Sequence, residues 1–161
     1  MNRRNTIEET SSDDDYWTKR EIALKFLDAC EHGILLEVLC FLKKGGDADA
    51  GIDEDVYAGI HYAAMYGHVD VVNVLIQNGA DVSIKSHFDT TALHHAAMKG
   101  HVDVVKTLIQ NGADVNTLEM SNYTALHFAA QHGHVDVAKI LIQNGAKINA
   151  YQTPSKKTPL Y

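Results

Sequence analysis

Apolar residues in the middle of this chain recur at helical spacing. Val104, Val105, Leu108 and Ile109 stand at i, i+1, i+4 and i+5, the inward stripe of a short helix. Gly112 follows where a left-handed residue ends such a helix. Upstream, Leu93, Ala96 and Ala97 mark the inward face of another short helix, the two alanines letting neighbours approach closely, and Gly100 ends it in a tight turn. The arrangement returns at a fixed step. GHVDVVNVLIQNGADV (Gly67–Val82), GHVDVVKTLIQNGADV (Gly100–Val115) and GHVDVAKILIQNGAKI (Gly133–Ile148) lie 33 residues apart. GIHYAA (Gly59–Ala64), ALHHAA (Ala92–Ala97) and ALHFAA (Ala125–Ala130) keep the same step. Each unit therefore predicts a helix, a tight turn, a second helix and an extended stretch entering a hairpin-like loop. Thr91 and Thr124 stand where a side-chain oxygen can cap the first helix, and Ala58 in the same register should forgo roughly 1 kcal/mol of capping.

A divergent unit precedes these three. Ile22, Leu24, Phe26, Leu27 and Cys30 predict a helix from about Glu21 to Glu31, broken by Gly33. A second helix follows from about Leu35 to Lys44 and ends at Gly45-Gly46. With Lys19, Arg20, Glu21 and Lys25 turned outward, this unit suits an N-terminal cap showing water a polar face. Residues 1–20 lack apolar periodicity and carry Ser11-Ser12-Asp13-Asp14-Asp15, which reads as a disordered acidic tail as far as Tyr16 and Trp17. At the other end Ile140, Leu141 and Ile142 are as apolar as their internal counterparts, so no polar cap is visible there. The expected boundaries are a tail at 1–20, a capping unit at 21–53, full units at 54–86, 87–119 and 120–151, and at 152–161 the start of a truncated unit or a tail.

The 33-residue period, with T-x-L-H-x-A at Thr91–Ala96 and Thr124–Ala129 followed by Gly-His, resembles the ankyrin-repeat family from about residue 21 to the last residue. The resemblance implies an all-α repeat solenoid of helix-turn-helix pairs with projecting loops. It also implies a protein-binding module that holds a protein partner in a groove, as an adaptor, inhibitor or scaffold. Two alternatives stand beside it: the N-terminal regulatory or targeting arm of a larger multidomain enzyme or channel, suggested by the cut-off Thr158–Tyr161 phrase, and a bacterial or parasite effector. Family repeats bind through hairpin tips and the exposed face of the first helix. In register these positions give a candidate partner-binding set of Tyr57, Met65, Tyr66, His87, Phe88, Met98, Lys99, Met120, Tyr123, Gln131 and His132. Aromatic and methionine side chains are concentrated there, as they are in interface cores. At the loop turn, where the family usually has glycine, stand Val56, Asp89 and Asn122; Asp and Asn tolerate left-handed backbone, and a β-branched valine does not. Leu108, eight residues before Asn116, resembles the pattern of asparaginyl-hydroxylase substrates, and Ser11 and Ser12 each precede an aspartate by three residues, as acidic-directed kinases prefer.

Charge and composition narrow the partners. The formal charge of −7, with lysines scattered, argues against nucleic acid as a direct ligand. No apolar run approaches the ~20 residues of a membrane span, and the polar, acidic N-terminus shows no signal peptide. Cys30 and Cys40 align with Ala64 and Val74, small buried sites, and no C-x-x-C spacing occurs, so an intracellular location, cytoplasmic with the nucleus left open, is expected. Ten histidines invite a metal reading. His61, His94 and His127 share one register position, however, and His68, His101 and His134 another. The resemblance makes the first set hydrogen-bond within and between repeats and the second brace the adjoining turn. Zinc needs four converging ligands, whereas successive rungs of stacked helices stand roughly 10 Å apart. No nucleophile elbow, phosphate loop or H-E-x-x-H is present. The chain is thus expected to be no enzyme, to need no metal or cofactor, and to be monomeric unless its C-terminal face pairs.

Overall fold

The computed structural model describes residues 12–51 and 57–148, with side chains from residue 18 onward. Among them are eight helices in four successive pairs: α1 (Ser12–His32) with α2 (Leu35–Lys43), α3 (Gly59–Tyr66) with α4 (Val69–Gln77), α5 (Ala92–Lys99) with α6 (Val102–Gln110), and α7 (Ala125–Gln131) with α8 (Val135–Gln143). The first helices form one row, α1 on α3 on α5 on α7, and the second helices form another, α2 on α4 on α6 on α8. This is the all-α repeat solenoid that the family resemblance implies.

Register decides what is buried. Leu75, Leu108 and Leu141 occupy one position of successive second helices and are each fully buried, and Ile60, Leu93 and Leu126 do the same in the first helices. Each such side chain contributes about 1.5–3 kcal/mol of burial. Ala63, Ala64, Ala96, Ala97 and Ala129 are buried between the rows, where their small size permits close approach. The loops are held by repeated polar contacts. Asn78, Asn111 and Asn144 each donate a side-chain N–H to the last-turn carbonyl four residues back at 2.8 Å, satisfying helix-end acceptors. Asp47, Asp81 and Asp114 each accept the amide two residues on, at 2.8–3.0 Å.

The histidines are the joints between units. His61 accepts the Ala58 amide at Nδ1 (3.0 Å), and its Nε2–H donates to the carbonyls of Ile84 (3.1 Å) and Thr90 (3.2 Å) in the next loop. His94 repeats this with the Thr91 amide (3.1 Å) and the Thr117 carbonyl (3.1 Å). Carbonyls only accept, so Nε2 carries the proton and Nδ1 is left as an acceptor. The second set reaches backward: Nε2–H of His68, His101 and His134 donates to the carbonyls of Glu31 (2.8 Å), Met65 (3.0 Å) and Met98 (3.0 Å).

Several sequence expectations change. The first helix begins at Ser12, not near Glu21, so residues 12–20 of the expected tail are helical. Acidic residues such as Asp13–Asp15 suit a helix start, where the backbone dipole favours negative charge. The rest of that tail, Val56 in the first loop, the Trp17 side chain and residues 149–161 lie outside the described residues. Thr91 and Thr124 do not cap an amide with their hydroxyls; each hydroxyl meets the Nδ1 of His94 or His127 at 2.9 Å, and that same Nδ1 takes the cap amide. Ala58 therefore keeps its amide bond to His61 and lacks only the hydroxyl contact. Leu141 is fully buried, and Ile140 and Ile142 are partly buried against the core, because α8 packs on both α7 and α6. Cys30 is buried, which raises its thiol pKa to about 12, but Cys40 is exposed. The outer face of the first pair is not uniformly polar either: Ile22, Leu24 and Leu36 are exposed on it.

Candidate partner-binding surface

The candidate residues fall on the loops that enter α3, α5 and α7 and on the C-terminal ends of those three helices. The loop before α5 turns at Asp89, whose φ is 56°, and the loop before α7 turns at Asn122, with φ 63°. Short polar side chains tolerate this left-handed geometry, as the sequence implied. In each, the backbone closes with Asp89 N–H to Ser86 O (2.9 Å) and Asn122 N–H to Glu119 O (2.8 Å). The two tips are tied together where the Met120 N–H donates to the Phe88 carbonyl at 3.1 Å.

This places Phe88 beside Met120, 55% and 61% exposed, with Leu118 nearby in the chain at 44%. Leu118 was not among the sequence candidates; the available signal was an apolar residue in the register where the preceding unit has Lys85. His87 packs its ring on Phe88, centroids 5.3 Å apart. Tyr66, 49% exposed at the end of α3, has its hydroxyl held by the Glu31 carboxylate, which raises the phenol pKa. Lys99, Gln131 and His132 are exposed on the ends of their helices, and Met65 and Met98 are half-buried there.

Two candidates pack on neighbouring rings. Tyr57 is half-buried and packs edge-on against His95 (4.9 Å) and Tyr62 (5.7 Å). Tyr123 is half-buried against His127 (5.3 Å) and Phe128 (5.6 Å). Tyr123 folds onto its own unit, whereas Tyr57 lies between Tyr62 of its own unit and His95 of the next. Asn116 is likewise engaged: its Oδ1 accepts the Lys147 amide (2.9 Å) and its Nδ2 donates to the Gly145 carbonyl (3.1 Å). Ser11 lies outside the described residues, as does the side chain of Ser12 at the first position of α1.

Buried histidines line the back of this surface. Desolvation lowers the pKa of His61 and His94, and burial holds His95 down to about 3. Geometry acts in the same direction on the first two, since an amide N–H points at Nδ1 of each and opposes a proton there. No group of three or more ligand-type side chains converges among the described residues. Micromolar zinc is therefore expected to leave the melting midpoint unchanged, and a metal-dependent rise of several degrees would reverse that assignment.

An apolar hollow of about 280 Å³ opens between α1 and α2, lined by Ile22, Phe26, Cys40 and Phe41 with Lys25, Glu37 and Lys44. Its floor is the stacked pair Phe26–Phe41, centroids 4.2 Å apart.

A family model described as ankyrin repeats, in three copies, matches residues 60–152, more than half of the chain. The cell division cycle-related protein res1/sct1 of Schizosaccharomyces pombe is 38% identical over 47 residues, which cover 29% of this chain and 7% of that protein. The chain thus matches only a small part of that relative's length. Repeats of this family generally mediate protein–protein interaction and are typically not enzymatic. Among the described residues no helix is long and apolar enough to cross a membrane.

Proposed function

We propose, proceeding from the fact that this chain belongs to the ankyrin-repeat family, that it is an adaptor, inhibitor or scaffold module binding a protein partner across its loop tips and first-helix ends. The observation that carries this reading is the exposure of Phe88, Met120 and Leu118 on the loops, with Tyr66 half exposed at the end of α3 although its hydroxyl is held by Glu31 of the preceding pair. Leu75, Leu93, Leu108, Leu126 and Leu141 of the same solenoid are buried in the stacked rows, whereas these apolar side chains are left exposed together near the loops. Met65, Met98, Lys99, His87, Gln131 and His132 extend the surface with half-buried sulfur and exposed polar groups. The free thiols Cys30 and Cys40 fit an intracellular setting.

A second reading, in which these repeats are the binding arm of a longer protein, is supported by the yeast relative, where the matched segment is 7% of the whole. Its partner surface would be the same.

Replacing Tyr66, Phe88 and Met120 together by alanine is expected to abolish capture of the partner from native extract, with a change in thermal midpoint of no more than about 2 °C. Affinity capture with quantitative mass spectrometry, run beside differential scanning calorimetry, checks both halves. A large loss of midpoint would make these side chains part of the core and sink the reading. Tyr123 is left out because its ring packs on Phe128, so its removal would mix binding with stability.

A further inference from the structure

We propose that His95 is a positioning residue for the loop tip that carries Phe88, acting through the hydroxyls of Thr90 and Ser86. His95 belongs to α5 and is 5% exposed. Its Nε2 lies 3.1 Å from Thr90 Oγ1, which lies 2.6 Å from Ser86 Oγ. Ser86 Oγ in turn accepts the amide of Phe88 at 3.3 Å. The same tip is closed in its backbone by Ser86 N–H to Thr90 O and Asp89 N–H to Ser86 O, both 2.9 Å. The relay therefore runs from a helix locked in the core to the backbone of the most exposed aromatic residue in the candidate surface. On its other side the imidazole meets the Tyr57 ring edge-on at 4.9 Å, so one side chain holds the ends of two successive loops.

Packing does not explain an imidazole at this position. The corresponding residues of the flanking units are Tyr62 and Phe128, whose rings fit the same place in the row. His95 brings a buried Nδ1 that has no hydrogen-bond partner among the described residues, a cost that a phenyl ring would not carry. What the phenyl ring cannot do is bond Thr90. The next loop shows the alternative. There Glu119, in the register of Ser86, closes the tip by itself, its Oε1 accepting the amides of Ser121 (2.9 Å) and Tyr123 (3.0 Å), and α7 presents Phe128 with no polar atom. One tip is closed by its own carboxylate. The other is tied to the helix behind it.

The inference rests on reading Phe88 as a binding residue, but its test uses the free protein. Amide hydrogen exchange by NMR is expected to show roughly tenfold or greater loss of protection at Ser86 and Asp89 in His95→Phe, with Val105 and Leu108 unchanged. Thr90→Val should produce the same local loss, Thr90→Ser should restore protection, and the double variant His95→Phe/Thr90→Val should be no worse than either single one. Unchanged protection in the single variants, or losses that add in the double one, would overturn the tether whatever Phe88 binds. Should His95→Phe fail to fold, the Thr90 pair still decides the matter. Capture that survives Phe88→Ala would instead sink the reading of the surface and leave the tether standing.

Discussion

Acidifying the protein from about pH 7.5 to about pH 5 is expected to lower its thermal midpoint by about 4–8 °C through His95 alone, with His61 and His94 adding to the fall. Folded His95 takes up its proton only near pH 3, whereas the unfolded residue does so near 6.5. Between those values the unfolded chain binds more protons, so stability falls as pH falls. The contribution is fully present above 6.5 and at pH 5 has dropped by about 2 kcal/mol. His61 and His94 are also buried and depressed, so both titrate in the same direction. Calorimetry across this range measures the slope, and His95→Phe should make it shallower by about 1.4 kcal/mol per pH unit. A midpoint that stays flat from pH 7.5 to 5 would contradict the burial of these rings.

Gly100→Ala should destabilise the chain by about 3 kcal/mol or more, and Gly112→Ala by only about 1–2 kcal/mol. Both glycines have left-handed backbone, with φ of 79° and 92°. That shared conformation costs an alanine about 1–2 kcal/mol wherever it occurs. The difference comes from the neighbour. A Cβ on Gly100 would stand 2.6 Å from Nδ1 of His134, while one on Gly112 would meet nothing within 4 Å. The His134 ring cannot withdraw without losing its 3.0 Å bond to the Met98 carbonyl, which would leave a partly buried acceptor unpaired. Urea titration of the two single variants measures this gap. Equal losses would mean that the ring moves freely, and that the backward-reaching histidines do not hold successive units together.

Repetition made much of this legible in the sequence. The period, the two helices of each unit, the inward register of Leu93 and Leu108, and the left-handed backbone at Asp89 and Asn122 all follow from residue type and short spacing. Helix periodicity and backbone sterics are local, so one unit contains the information needed. The family resemblance made the bonds of His61 and His94 within and between units legible. It gave His68, His101 and His134 only the adjoining turn, and the structure carries their bonds back to the preceding unit.

What the sequence left open depends on which neighbour covers a side chain. Cys40 and Val74 share a register, yet Cys40 is exposed while Val74 packs against the core. Tyr57 and Tyr123 look like Phe88 in the chain, but Tyr57 packs on His95 of the next unit and Tyr123 on Phe128 of its own, while Phe88 is 55% exposed. Leu141 reads as an end residue and is fully buried. The acidic run at Asp13–Asp15 reads as a disordered tail, but the backbone is helical from Ser12. His95 reads as one more histidine, and only the tertiary structure brings Thr90 and Ser86 to it in line. The sequence determined the repeating unit because that unit is built from contacts within a few residues. Tertiary structure decided the binding surface because exposure is a property of the stacked rows, set by groups 30 or more residues away, such as the Met65 carbonyl that receives His101.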